Sequence, residues 1–228
     1  MDQDTTDYTY SAALRAAWLR TFNQTLTYSG KYASEPAGDA YQNSVFLRNN
    51  AILYKGWSAF VDTGYGWEKP VDDPQITTTF INSGMNIEPN SKINLNFNYS
   101  YKETRQSGLD IGPTTQQEYG FQGFYIPFTN LSFFAKVSVL DRDGSKETYQ
   151  NYKINWSPFP DGDLQFFFVY SETLQNVGDQ RQRVIGPSLK WTIGRHIFLD
   201  MSYTYNRIED SVQETNSHVF YGDLKLIF

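Results

Sequence analysis

Two histidines, His196 and His218, are the side chains in this sequence best suited to acid–base or metal chemistry, and their spacing decides whether they can work together. His196 opens one extended stretch beside a short turn, and His218 opens the next beside a longer connection. Antiparallel pairing would hold them at opposite ends of those stretches, on the order of 30 Å apart at about 3.4 Å per residue. They therefore form neither one dyad nor one metal site. Ser217 adjoins His218, but neighbours on a strand face opposite ways and cannot share a proton through their side chains. His218 with Asp210 or Glu214 leaves only a rim site, and solvated acid is the commoner explanation for such carboxylates. The run Asp141-Arg142-Asp143-Gly144 lacks the spacing and closing glutamate of a calcium loop. There is no cysteine, no phosphate-binding glycine loop and no zinc or haem motif, so the reading expects no enzyme, no cofactor and no metal.

The charged residues suggest a different chemistry. If the apolar positions fix which way each strand faces, Arg15, Lys31, Arg48, Lys92, Lys102, Lys136, Lys153, Lys190 and Lys225 share the polar face with Asp62, Glu68, Asp200 and Asp223. Much of the remaining acid falls in the connections. A surface of one sign raises the local concentration of oppositely charged solutes. The alternative is that these charges pair with one another and only hydrate the face.

The elements that would hold these residues are strands. From Lys92 to Lys102, Ile93, Leu95, Phe97, Tyr99 and Tyr101 alternate with Asn94, Asn96, Asn98 and Ser100. A period of two suits a half-apolar strand and no helix. The same alternation runs through Trp57 to Glu68 and Ile197 to Asn206. Aromatic rings collect near strand ends on the apolar side: Tyr8, Tyr10, Trp18, Trp57, Trp67, Tyr99, Tyr101, Tyr152, Trp156, Trp191, Tyr203 and Tyr205. Amphipathic rings favour membrane interfaces, so these positions read as girdles.

Short turns are expected near Phe22-Asn23, Lys55-Gly56, Pro89-Asn90, Thr129-Asn130, Asp161-Gly162 and Gly194-Arg195, alternating with longer polar connections at 34–40, 69–75, 105–116, 141–146, 175–180 and 209–215. The segments so delimited number about thirteen, whereas single-chain bacterial barrels have even numbers of strands. The Ala-rich stretch Ser11 to Arg20 fits a plug helix as well as a strand, and the strand is favoured because Tyr8, Tyr10, Ala12, Leu14, Ala16 and Trp18 keep the alternation.

Composition agrees with a wall that is apolar on one side only. Of 228 residues 17% are aromatic, yet no apolar run approaches the roughly 20 residues of a spanning helix. The mean hydropathy of -0.55 is that of a soluble protein, as expected where lipid-facing and water-facing residues alternate and cancel. A net charge of -6 argues against a nucleic-acid partner. The residues after Met1, Asp2-Gln3-Asp4-Thr5-Thr6-Asp7, contain no secretory signal, so a leader removed ahead of Met1 is expected.

The last stretch, Asn216 to Phe228, places Phe220, Gly222, Leu224, Leu226 and Phe228 on one face and ends on an aromatic residue. It resembles the C-terminal assembly signal of bacterial outer-membrane β-barrels, and the strand pattern is similar to theirs along the whole chain. The resemblance implies an all-β, transmembrane up-and-down antiparallel β-barrel of about twelve to fourteen strands. Residues 1–7 would be a disordered N-terminal segment and 8–228 the barrel. It further implies the bacterial outer membrane, contact with the lipid bilayer, and recognition by the barrel-assembly machinery through Phe228. The leading expectation is a porin-like channel for small polar solutes that prefers anions. The alternative is a structural or secretion module, part of a larger barrel, enclosing a polymer or protein partner.

Overall fold

The computed structural model describes residues 6–35, 38–71, 73–108, 112–194 and 196–227, so Phe228 and its expected assembly role lie outside the described residues. The chain forms thirteen strands that follow one another in the sheet in sequence order, each hydrogen-bonded to its neighbours in the chain. They are β1 Thr6–Leu19, β2 Phe22–Glu35, β3 Gly38–Tyr54, β4 Trp57–Lys69, β5 Ile76–Asn90, β6 Ile93–Gln106 and β7 Thr114–Phe128. They continue with β8 Leu131–Arg142, β9 Ser145–Trp156, β10 Leu164–Gln175, β11 Gln180–Ile193, β12 Ile197–Glu209 and β13 Glu214–Leu226. The chain is therefore an all-β antiparallel meander, and the Ala-rich stretch of β1 is a strand. β1 begins at Thr6, inside the segment expected to be disordered, because β2 runs far enough to pair Ser34 with Thr6 and Ala33 with Asp7.

The contacts divide the chain into two compact units, 1–86 with 98–118 and 87–97 with 119–228. In the first unit, Leu14, Leu26 and Leu47 stand opposite one another across β1, β2 and β3, so they share a face. One residue along, Arg15, Thr25, Arg48 and Asp62 share the other. In the second unit, Phe133, Ile154 and Phe168 share the apolar face, and Lys136, Asn151 and Ser171 the polar one. A slip of one residue in any strand would exchange its faces, so the apolar stripe fixes the register.

What is buried inverts the soluble rule. Among the described residues no hydrophobic side chain is buried, whereas Asn43, Asp62, Asn151 and Glu172 are. Leu14, Trp18, Phe220 and Leu224 are all more than half exposed. In water an apolar surface of this extent would be left unburied against a cost of about 25 cal/mol per Å². In lipid it is the correct outer surface.

The connections differ from the expected alternation of short and long. The expected longer loop at 141–146 is a two-residue hairpin, because Asp143 and Gly144 both take positive φ (50° and 85°), which lets the ladder continue to Arg142 opposite Ser145. The expected short turn at Asp161-Gly162 lies instead within 157–163, one of the two longest separations between strands, the other being 107–113. Pro158 and Pro160 fall in 157–163, where a residue without an N–H cannot extend a ladder.

Aromatic packing depends locally on glycine. The Phe80 ring lies over Gly64, where an added Cβ would overlap it, and it stacks on Phe46 at 5.9 Å between centroids. Gly64→Ala is expected to cost about 1 to 3 kcal/mol by overpacking, measured by urea unfolding in detergent. The Phe80→Ala background should remove most of that penalty. Full additivity of the two changes would refute the contact as its cause.

The connection between β12 and β13 is tied by Asp210, whose Oδ1 accepts from the backbone N–H of Val212 and Gln213, both at 2.8 Å. Those two bonds hold its carboxyl below the usual carboxylate range. A lowered folded pKa stabilises the turn above the unfolded value and loses that contribution as the pH falls through the folded one. Amide exchange at Val212 and Gln213 should therefore quicken, beyond its intrinsic trend, as the pH drops below about 4. Asp210→Asn should flatten that response, and an unchanged profile would exclude the carboxylate.

Candidate functional site

The polar face is where the residues with charge chemistry gather. On the first unit Arg48 on β3 stands opposite Asp62 on β4. Arg48 Nη2 donates to Asp62 Oδ2 at 2.7 Å and Nε to Oδ1 at 3.1 Å, a two-point fork of the geometry that makes such pairs strong. Asp62 is 3% exposed. The guanidinium also lies 5.3 Å from the Phe46 ring centre. Lys31 pairs with Asp7 at 3.3 Å across β1 and β2, and Arg15 lies on the same face beside Thr25.

On the second unit Lys190 meets Asp200 at 3.4 Å, with Asp223 opposite Asp200 and Lys225 opposite Phe198. Lys136 and Lys153 take aromatic partners instead: Nζ of Lys136 is 5.8 Å from the Tyr149 ring centre, and Nζ of Lys153 is 5.5 Å from that of Phe134. Lys102 lies in β6. Lys92 does not stand in a strand. It sits in the turn before β6, which begins only at Ile93, and its Nζ donates to the carbonyl of Pro127 at 3.1 Å. Lys31, Arg48 and Lys190 are thus each matched by an acid, and the uniformly basic face expected from the alternation is in part a set of ion pairs.

The apolar face carries the aromatic rows. Tyr8 and Tyr10 on β1 meet Tyr32 and Tyr28 on β2, with ring centres 6.3 and 5.8 Å apart. Trp67 on β4 joins them through Tyr28 and Tyr65. Asn43 lies among these rings, 8% exposed, accepting hydrogen bonds from the hydroxyls of Tyr10 at 2.5 Å and Tyr28 at 2.9 Å. Trp18 donates its Nε1 to Gln24 at 2.7 Å, and Trp57 opens β4 opposite Tyr54.

On the second unit Trp156 stacks on Phe166 at 5.3 Å, and Trp191 stands opposite Leu199 on the same side. Further along the strands Tyr152 meets Tyr170 at 6.0 Å, and Tyr205 lies 5.0 Å from His218. Tyr203 places its hydroxyl 2.7 Å from Nδ1 of the same histidine. In the first unit, Tyr99 and Tyr101 lie on β6, where Tyr101 donates to Glu103 at 2.7 Å.

The histidines are kept apart, as the pairing required. His196 Nδ1 contacts the carbonyl of Ile227 at 2.9 Å, whereas His218 stands opposite Tyr205. The two sites are separated along the β12–β13 ladder by about 31 Å at 3.4 Å per residue.

One group escaped the sequence reading altogether. Glu172, Arg181, Arg183 and Arg207 lie on the apolar side, just past the tyrosine row, since Glu172 stands opposite Arg183 and Arg183 opposite Arg207. The signal was available in principle. Counting by twos from Phe166 through Phe168 and Tyr170 reaches Glu172, but a charged residue beside the polar stretch 175–180 reads as loop.

Long strands, no buried apolar residue among those described, and aromatic rows on one side define the class: an all-β membrane-type wall, amphipathic across its thickness. No protein family matches the chain, and no curated protein does. Among solved structures it is similar to the translocator domain of the autotransporter NalP from Neisseria meningitidis, at 13% identity and a TM-score of 0.30, covering 98% of this chain and 87% of that one. It is also similar to the β domain of the Bordetella autotransporter BrkA, at 11% identity and a TM-score of 0.28, covering 98% of this chain and 99% of that one.

Proposed function

We propose that this chain is a wall module of the bacterial outer membrane whose polar face borders an aqueous path for a larger partner, a secreted polymer or protein. The observation that carries the reading is the state of the end strands. Every residue of β13 is exposed, and every residue of β1 except Ala16, on both faces alike. A β wall in lipid must pair all its backbone groups, so its edges need partners. In a thirteen-strand meander β1 and β13 run the same way, so pairing them directly would be parallel in a sheet whose other ladders are antiparallel. An odd number of added strands gives antiparallel pairing at both edges, which favours a module over a self-contained pore. The ion pairs of the polar face add support, since a charge-matched hydrated surface suits passage without selection.

A second reading, a small-solute channel that prefers anions, is favoured by Lys136 and Lys153, which rest on aromatic rings on the polar face. Neither reading assigns catalysis to His218, which sits in a tyrosine row with Nδ1 engaged.

Recording from the refolded chain in a planar bilayer, across a KCl gradient, separates the two. The module reading expects a folded, heat-modifiable chain that gives no uniform current steps by itself. Uniform steps whose reversal potential favours chloride would overturn it and establish the channel.

A further inference from the structure

We infer that the arginines beyond the tyrosine row of the second unit bind the phosphate of a membrane lipid headgroup; the inference rests on the membrane reading above. Along the apolar side of β11 the order is Trp191, Leu189, Pro187, Ile185, then Arg183 and Arg181. The last apolar level, Ile185, stands opposite Tyr170 and Tyr205. The arginines therefore begin one level past the tyrosines, where the hydrocarbon gives way to headgroups.

Arg183 stands directly opposite Arg207, on a face that looks towards lipid. Like charges facing each other across a ladder are destabilising unless something lies between them. Glu172 lies on the β10 side of the pair and Glu214 on the β13 side, whereas Glu209 stands opposite Arg181 in the same ladder. Glu172 Oε1 accepts from Arg181 Nε at 2.5 Å and from Arg183 Nη2 at 3.1 Å. Arg207 Nη2 donates to Glu209 at 3.1 Å and to Glu214 at 3.0 Å. Arg207 Nε is buried and finds no partner among the described residues.

A guanidinium offers five N–H donors in a planar fork that fits phosphate oxygens two at a time. Glu172 takes Nε and Nη2 of Arg183, and Glu209 and Glu214 take Nη2 of Arg207; the N–H groups left over on the two guanidiniums form the seat for one phosphate. Basic residues at this depth are the usual partners of acidic headgroups. An ammonium in place of each guanidinium would keep the charge but lose the fork.

The test uses the whole chain in phosphatidylcholine vesicles, with and without an equimolar share of phosphatidic acid. Flotation reports insertion, and native mass spectrometry reports which lipid stays bound after extraction. The wild type should retain phosphatidic acid over phosphatidylcholine, and R183K/R207K should weaken that preference several-fold although the charge is kept. Should R183K/R207K fail to fold, E209Q/E214Q carries the test. Removing the competing rim acids should strengthen the preference several-fold, and an unchanged or weaker preference would count against the site. Equal retention by folded R183K/R207K would show charge alone at work and overturn the proposal. Insertion of the wild type without any preference would overturn this inference and leave the wall intact. Failure to float would overturn the membrane reading itself.

Discussion

Arg48→Ala should cost about 3 kcal/mol, more than Asp62→Ala at the same pair. The asymmetry follows from exposure: the Asp62 side chain is 4% exposed and that of Arg48 50%. Removing the arginine strands a buried carboxylate with neither water nor counter-ion, whereas removing the aspartate frees a guanidinium that water already reaches. Arg48 also loses its contact with the Phe46 ring, which lies beside Phe80 and Gly64. Urea unfolding of Arg48→Ala, Asp62→Ala and the double variant closes the cycle. The double variant should cost less than the two single costs summed. A larger loss from Asp62→Ala than from Arg48→Ala would show that the pair is not held by burial of the acid.

Leu189→Arg should cost about 2 to 4 kcal/mol in a bilayer, whereas Ser188→Arg, one residue away, should change stability by no more than about 0.5 kcal/mol. Leu189 stands opposite Phe166 and Met201 on the apolar side, and Ser188 opposite Phe167 and Ser202 on the polar side. An arginine at Leu189 meets hydrocarbon inside the band between Trp191 and Ile185, about 7 Å from the Trp191 level, so that snorkelling towards that end keeps the cost in the lower part of this range. At Ser188 it joins a hydrated face. Equal tolerance of the two substitutions in folded, vesicle-inserted protein would refute the assignment of the faces, and with it the lipid-facing place given to Arg183 and Arg207.

The two outcomes bear on different parts of the molecule. Arg48 and Asp62 test whether charge on the polar face is matched locally, which decides between a neutral path and an anion-selective one. Leu189 and Ser188 test which side meets lipid.

The strands, their number and their faces were legible in the amino-acid order, because a period of two repeated over strands of twelve to seventeen residues fits no other regular structure. That is why the faces of Arg15, Lys31, Arg48, Asp62, Lys136, Lys153, Lys190 and Asp200 agree with the ladders. Lys92 shows the limit. Alternation continues into a turn, where a lysine at the correct parity no longer has a wall to stand in.

Connection lengths were less legible. Whether Asp143-Gly144 closes a two-residue hairpin or opens a loop depends on φ, which both residues leave open and which the neighbouring ladder settles. Pairing was decided only in three dimensions. Composition shows more bases than acids on the polar face, but it does not say that Arg48 reaches Asp62, that Lys153 turns to Phe134, or that Asn43 is held beneath two tyrosines on the apolar side. Parity along one strand assigns a residue to a face, whereas its partner is set by the register of the next strand. That register comes from the apolar stripe as a whole, so the charges meet where packing of the opposite face has placed them.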